Sequence, residues 1–200
     1  MGEKPSEPNK DWRVSLPENA GELREVGDQA IWSLSSCKSG YGVDQLLDDS
    51  SDTYWQSDGP QPHLVNIQFS RKTTVSFLLV YVDYKADESY TPSKIAVRIG
   101  SSLSDLREVR QKEFTEPAGW QIIDLRMSNG RPSRAFVVQL AVIQNHQNGR
   151  DTHIRQVKIV APSLAPTDQL RQPLVAAESN APFVPPKFLT VQMNQFAVIR

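Results

Sequence analysis

The chain has 200 residues, 38% of them hydrophobic, with a formal net charge of −1 and a single cysteine, Cys37. This length fits one domain with terminal segments, and the near-neutral charge argues against nucleic acid or an anionic membrane as the main partner, since both need a basic surface excess. One cysteine excludes an intramolecular disulfide framework and indicates a reducing compartment. Because the polar N-terminus also lacks the apolar segment of a signal peptide, we expect the protein in the nucleus and cytoplasm.

Residues 1–21 have the composition of a disordered arm. They are charged and contain Pro5, Pro8 and Pro17, and such segments bury too little apolar surface to fold alone. Trp12 is the only bulky anchor in this arm. Its side chain either docks on a neighbouring surface or stays solvated, and the sequence leaves both options open.

The first part of the predicted domain, which spans residues 22–161, carries a serine-rich loop and an acidic run. The loop from Ser33 to Gly42 contains Cys37 but no strand-to-helix nucleophile elbow, so we expect a buried structural cysteine. Val43 to Leu47 predicts one helical turn. The aspartates that follow do not match the spacing of a calcium loop, and we interpret them as turn and cap residues.

Short apolar segments separated by glycine, proline and asparagine predict strands along the rest of the domain. Val75–Val82 and Phe136–Ile143 are apolar on both faces, which indicates strands buried on both sides. Leu106–Phe114 is charged and predicts an edge strand. The absence of long helical periods between these segments predicts an all-β fold of the antiparallel sandwich or jelly-roll class.

The segment Asn145–His153 lies between two apolar runs and is crowded with hydrogen-bonding side chains. A second polar turn, Asp83–Tyr90, is expected to join it. His146 and His153 raise the possibility of a metal site, but zinc needs more convergent ligands than these loops supply, so we predict no metal and no cofactor. A hydrolase that pairs Asp151 with His153 has no marked nucleophile. Recognition of a ligand is therefore favoured over catalysis.

The last part of the chain changes composition. Residues 162–186 are rich in proline and predict a linker. Residues 187–200 become apolar again and end with Ile199 and Arg200. We expect this tail to be a peptide ligand recognised at its carboxylate, although Phe188–Met193 could also pack on the domain as an additional strand.

Several segments together resemble the DOC-domain subunits of the anaphase-promoting complex/cyclosome, over residues 22–161 and the final two residues. The matching segments are Trp32–Lys38, Gly42–Leu46, Thr53–Gly59, Pro62–Phe69, Asp87–Lys94 and Asn145–His153. Thr53–Gly59 and Pro62–Phe69 are shared more loosely with other galactose-binding-like jelly rolls, including discoidin-type domains. A carbohydrate-binding module is therefore the alternative. Tyr54, Trp55 and Tyr90 are its candidate stacking aromatics, although we expect these three side chains to pack within the domain.

The resemblance implies a jelly-roll β-sandwich and a non-catalytic subunit of a multi-subunit ubiquitin ligase. Such a subunit forms, with a WD40 coactivator, a receptor for the destruction-box degron of cell-cycle substrates and promotes processive ubiquitination. By the same resemblance, Ser89, His146, Gln147 and Asn148 are the degron-facing positions. Ile199 and Arg200 are expected to dock in a tetratricopeptide-repeat scaffold subunit.

Overall fold

Eleven β-strands account for about half of residues 11–163, the part of the chain that this computed structural model describes. The strands are β1 (Leu23–Glu25), β2 (Ala30–Leu34), β3 (Trp55–Gln56), β4 (His63–Val75), β5 (Phe77–Asp83), β6 (Pro92–Gly100), β7 (Arg107–Glu113), β8 (Ala118–Asp124), β9 (Ser133–Asn145), β10 (His153–Ile154) and β11 (Gln156–Pro162). Two short α-helices are α1 (Val43–Leu47) and α2 (Tyr84–Asp87). Single 3₁₀ turns cover Trp12–Ser15, Glu18–Ala20, Gly27–Gln29, Glu88–Tyr90 and His146–Asn148.

Two antiparallel sheets pack face to face around the main core. Their strand orders are β1-β11-β5-β8 and β2-β4-β9-β6-β7, and β3 pairs with β10 in a small third sheet. The core cluster draws side chains from both large sheets, including Val80 and Ile159 from the first and Val65 and Leu140 from the second. The predicted all-β jelly-roll sandwich is confirmed, and α1 has the bounds predicted for the helical turn.

The two strands predicted to be buried on both faces lie in sheet interiors. On β5, Leu78 and Val80 face the main core, whereas Phe77 and Leu79 belong to a second apolar cluster on the other face of the sheet. Side chains alternate across a strand, so two apolar layers require a strand without polar alternation. β9 lies between β4 and β6, and the charged strand β7 forms the predicted sheet edge.

Gln139 shows how the polar positions of β9 are accommodated. It is a buried residue on the face of β9 that points away from the core. Its amide nitrogen donates to Asn66 Oδ1 on β4 at 2.8 Å, and its amide oxygen accepts from Arg98 Nη1 on β6 at 3.0 Å. These cross-strand bonds satisfy a polar side chain whose burial would otherwise cost free energy.

The predicted disordered arm differs from the structure from residue 11 onward. Asp11 caps the 3₁₀ turn Trp12–Ser15 by accepting from Arg13 N, and Trp12 is only 5% exposed. The indole packs in the second apolar cluster with Phe77, Leu79, Tyr81, Trp120 and Val160. Composition could not show this contact, because the outer face of β5 supplies the apolar surface that the segment itself lacks.

The prediction for Cys37 is wrong. The residue is a free cysteine with an exposed side chain in the loop between β2 and α1. The loop is held to the core by Trp55 on β3, which is fully buried and donates its indole N–H to Ser36 O at 2.9 Å. No helix among residues 11–163 is long and apolar enough to cross a membrane.

Truncation of Trp12 to alanine should destabilise the domain. We expect Trp12→Ala to lower the free energy of unfolding by about 3 kcal/mol, because a large buried side chain leaves a cavity over the sheet. Val14→Ala is the matched control, since Val14 lies in the same 3₁₀ turn but is 67% exposed. Urea unfolding followed by fluorescence compares the two variants, and equal midpoints for both would contradict the packing role of Trp12.

Candidate functional site

The two polar turns predicted from the sequence meet at one end of the sandwich. β9 ends at Asn145 and β6 begins at Pro92, and these two residues are partners in the antiparallel pairing of β9 with β6. The turn Glu88–Tyr90 leads into β6, and the turn His146–Asn148 leaves β9. Because adjacent antiparallel strands start and end at the same edge of a sheet, the pairing places the two turns side by side.

The backbones of the two turns are in direct contact at Gly149. A β-carbon at this position would lie 1.9 Å from Ser89 O and 2.7 Å from Ser89 C, so no other residue fits without displacement of the neighbouring turn. Thr91 O accepts from both His146 N at 2.9 Å and His146 Nδ1 at 3.0 Å. These contacts fix the distance between the two turns.

Three of the five non-glycine residues with positive φ among residues 11–163 lie in these turns. Gln147 (φ 51°) and Asn148 (φ 55°) are left-handed, and Glu88 has φ 44°. Left-handed backbone is tolerated by asparagine but unfavourable for longer side chains, and it persists only where surrounding contacts impose it. The geometry of both turns is therefore set by their contacts and not by local preference.

A row of buried polar groups holds the segment that follows the 146–148 turn. Asn145 Nδ2 donates to Gly149 O at 3.2 Å and to Asp151 O at 2.7 Å. His63 Nε2 lies 2.8 Å from Arg150 O. Three successive carbonyl groups thus accept from side chains of the sheet. Satisfying buried backbone groups in this way keeps an irregular segment ordered.

The tautomer of His63 follows from its two neighbours. A carbonyl oxygen can only accept, so Nε2 carries the proton, and Nδ1 accepts from Ser57 Oγ at 2.8 Å. Ser57 Oγ in turn accepts from Thr152 N at 3.2 Å. Ser57, His63 and Thr152 are fully buried. The sequence alone did not mark Ser57 and His63 as site residues. Their partners Thr152 and Arg150 lie 95 and 87 positions away along the chain.

A buried ion pair lies beneath the 88–90 turn. Asp87 Oδ2 accepts from Arg155 Nε at 2.9 Å, and Asp87 Oδ1 accepts from Arg155 Nη2 at 2.9 Å and from His153 Nδ1 at 3.1 Å. Burial acts to raise the pKa of the Asp87 carboxyl, but the hydrogen bonds from His153 and Arg155 and the charge of Arg155 together lower that pKa below its ordinary value. The carboxylate is therefore ionised at neutral pH.

Two tyrosine rings enclose His153. Its imidazole centroid lies 4.2 Å from that of Tyr54 and 4.3 Å from that of Tyr90. Tyr54 and Tyr90, two of the candidate sugar-stacking aromatics, thus have a packing partner, and the third, Trp55, is fully buried. His153 is also buried and pairs with Asp87, which argues against the hydrolase that would use Asp151 and His153.

The four predicted site residues are brought together on these turns. Gln147 and Asn148 are exposed, whereas Ser89 and His146 are half-buried. Both ring nitrogens of His146 have partners: Nδ1 donates to Thr91 O, and Nε2 accepts from Glu116 N at 3.4 Å. Gln147 Nε2 donates to Tyr84 Oη at 3.1 Å, a contact the sequence did not reveal.

Two further expectations concern metal binding and the tail. Within residues 11–163, no three histidine, cysteine, aspartate or glutamate side chains converge to form a metal site. Ile199 and Arg200, the predicted docking tail, lie outside the described residues, as does the candidate strand Phe188–Met193. The predicted linker 162–186 begins too early, because Pro162 is the last residue of β11 and Ser163 N donates to Glu22 O at 2.8 Å. The rest of that segment is outside the described residues.

The Asp87 pair predicts a pH-dependent contribution to stability. Asp87→Asn should lower the free energy of unfolding at pH 7 by about 3 kcal/mol, because the half-buried Arg155 loses its buried counter-charge. A carboxyl whose pKa is lowered by folding stabilises the fold above its unfolded value, here near 3.8, and this contribution is lost as the pH falls through the lower folded value. The difference between wild type and variant should therefore shrink in acid.

Urea unfolding at pH 7, 5 and 3 measures that difference. Asp58→Asn serves as the control, since Asp58 is exposed and should change the unfolding free energy little at any pH. A destabilisation by Asp87→Asn that stays constant from pH 7 to pH 3 would show that the carboxylate charge is not the stabilising element.

Solved structures with the same fold include carbohydrate-binding modules of low sequence similarity. A family 32 module of C. perfringens NanJ in complex with galactose has a TM-score of 0.58 at 11% identity and covers 69% of this chain and 98% of its own. The family 32 module of AlyQ in complex with 4,5-unsaturated mannuronic acid has a TM-score of 0.52 at 15% identity, with 64% and 92% covered. Similarity at this identity shows the shared fold alone.

Comparisons of sequence are more specific. The Homo sapiens protein named Anaphase-promoting complex subunit 10 is 62% identical over 145 residues, covering 72% of this chain and 78% of the human protein. The Drosophila melanogaster subunit 10 is 50% identical over 183 residues, covering 92% and 88%. The Saccharomyces cerevisiae subunit DOC1 is 39% identical over 152 residues, covering 74% and 60%. Since the family described as "Anaphase-promoting complex, subunit 10 (APC10)" also matches residues 3–183, the chain belongs to this family of anaphase-promoting complex subunits.

Proposed function

We propose that this subunit binds the destruction-box degron of cell-cycle proteins through its paired turns, without catalysing a reaction itself. Ser89, Gln147 and Asn148 supply hydrogen bonds to the degron peptide, and His146 supplies ring surface beside them. A WD40 coactivator forms the other side of the degron site, and shared binding prolongs the stay of the substrate on the ligase and promotes processive ubiquitination. The complex acts in the nucleus and cytoplasm.

The observation that carries this proposal is the contrast between the backbone and the side chains of the two turns. The backbone is fixed by the Gly149–Ser89 contact and by the buried donors Asn145 and His63. The side chains of Gln147 and Asn148 are exposed on top of this frame. A rigid frame that presents polar side chains lowers the entropy lost on binding, which suits recognition of an extended peptide.

The non-catalytic role is supported by the histidine side chains, since each candidate acid–base group already has structural partners. His153 is stacked between tyrosines and paired with Asp87, and the ring nitrogens of His63 and His146 each have a partner that a structural role explains. All three histidines of the chain are thereby accounted for. Catalysis of ubiquitin transfer is accordingly assigned to other subunits of the ligase.

Removal of the polar groups tests the degron site. Ser89→Ala combined with Asn148→Ala should weaken degron binding by about 1–3 kcal/mol, as two hydrogen bonds are lost. The measurement is the processivity of a reconstituted ligase together with the affinity of a fluorescent destruction-box peptide for the ligase–coactivator complex. Ser39→Ala with Asn19→Ala is the matched control, because both residues are exposed and lie on other elements.

A second variant of the same site separates the frame from the contacts. Gly149→Ala should weaken degron binding with Ser89 and Asn148 intact, because the new methyl group displaces the 88–90 turn. Gly42→Ala controls for the substitution itself, since its β-carbon would meet only Cys37 Sγ at 3.7 Å. Full processivity of the Ser89 and Asn148 double variant would overturn the assignment of the site.

We further propose that Ile199 and Arg200 dock in a tetratricopeptide-repeat scaffold subunit of the complex. Support comes from the resemblance of the Ile199-Arg200 pair to the tail signal of DOC-domain subunits and from the apolar residues that precede this pair. Deletion of these two residues should weaken binding to the scaffold subunit in a pull-down with purified proteins and leave the melting temperature unchanged. A large fall in melting temperature would show instead that the tail stabilises its own domain.

A further inference from the structure

A pocket lies at the end of the sandwich opposite the turns 88–90 and 146–148. It forms where β6 ends at Gly100 and β9 begins at Ser133, next to the register shift of β4 between Gln68 and Thr73. The pocket has a volume of about 310 Å³. Because β9 has 13 residues, its two ends are separated by roughly 40 Å at about 3.3 Å per residue, so both sites can be occupied together.

The pocket combines an apolar floor with a cationic rim. Ile99 and Phe136 are half-buried and line the floor. Lys72, Arg107 and Arg134 are exposed and line the rim. The chain as a whole has a net charge of −1, so three cations in the lining of one pocket make a local excess of positive charge. Such an excess attracts carboxylates and disfavours basic partners.

One carboxylate, that of Asp105, also lines the pocket, but it is directed into its own loop. Asp105 Oδ1 accepts from Ser101 N at 2.9 Å and from Ser102 N at 2.7 Å. These backbone donors lower the pKa of the Asp105 carboxyl. A β-carbon on Gly100 would lie 2.6 Å from Asp105 Oδ1, which shows how closely the loop packs on the end of β6. The wall of the pocket is therefore built by the loop's own hydrogen bonds.

The chemistry of the pocket distinguishes between anionic ligands. Phosphate sites commonly use clustered backbone N–H groups, and here the N–H groups of Ser101 and Ser102 are already bonded to Asp105. Nucleic acid would require a basic surface well beyond one pocket. A peptide with an apolar residue between carboxylate side chains complements the pocket. Its carboxylates pair with the cations of the rim, and its apolar residue packs on the floor. Leu103, 50% exposed on the same loop, extends the apolar surface for such a peptide.

We propose that this pocket docks an acidic peptide segment, with an apolar residue among its carboxylates, from another subunit of the anaphase-promoting complex. The inference uses membership of the complex and the charge of the pocket and is independent of degron binding. It assigns the two ends of the sandwich to different partners. The turns 88–90 and 146–148 bind substrate, and the cationic pocket lined by Lys72, Arg107 and Arg134 binds another subunit of the complex.

Charge reversal tests the pocket. Lys72→Glu combined with Arg134→Glu in the full chain should raise the Kd for the purified remainder of the complex at least tenfold at low salt, with a smaller effect at 0.5 M salt because screening weakens the attraction. The matched control is Arg13→Glu with Lys38→Glu, two exposed cations that do not line the pocket. Thermal unfolding of both variants verifies that each is folded.

A zero-length carbodiimide cross-linker identifies the occupant. It should join Lys72 to an aspartate or glutamate of another subunit, and Lys72→Arg should keep binding but lose that cross-link. Unchanged affinity after charge reversal would overturn the proposal. Loss of wild-type binding after phosphatase treatment of the partner subunits would also overturn it, because that result would indicate a phosphate ligand. A dimer of this chain, detected by light scattering and abolished by charge reversal, would show instead that the pocket binds a second copy. At concentrations of the charge-reversed chain that saturate the complex, the affinity for the destruction-box peptide should be unchanged, so the two proposals fail separately.

Discussion

The antiparallel pairing of β9 with β6 is the interaction on which the rest of the structure depends. These strands lie side by side within the five-stranded sheet, with Leu140 opposite Val97 and Ala141 opposite Ala96 in their middle. At one end the pairing brings the 88–90 and 146–148 turns together, and at the other it places Gly100 beside Val137 next to the cationic pocket. One ladder of backbone hydrogen bonds thus positions two surfaces of different chemistry.

Buried polar side chains carry the geometry of the proposed recognition surface. Asn145 and His63 bind carbonyl groups of the segment that follows the 146–148 turn, and Asp87 binds His153 and Arg155 below the other turn. Burying such groups costs free energy, and their hydrogen bonds and ion pairs offset that cost only when the partners are correctly placed. The turns are consequently specified by residues that no ligand contacts, and the exposed side chains can differ without loss of the frame.

Sequence patterns predicted the sandwich because strands with alternating or continuous apolar residues report burial directly. β5 and β9 were recognised by that criterion, whereas β7 was recognised as an edge strand by its charge. The proximity of the two polar turns was also expected. Contacts between distant segments were not predictable in this way. Ser57 reaches Thr152 across 95 positions, and Asp87 reaches Arg155 across 68. Cys37 was misjudged and the environment of Trp12 was left open for the same reason, since burial or exposure is decided by what lies opposite a residue in space.

The docking of Trp12 has a consequence for where the folded unit begins. A chain that started at residue 22, as composition suggests, would leave the outer face of β5 without its cover. Phe77, Leu79 and Tyr81 would then form an apolar strip on the surface of the sheet. Exposed strips of this kind promote self-association. The minimal autonomous domain therefore includes the segment from Asp11 to β1, which covers the apolar outer face of the sheet.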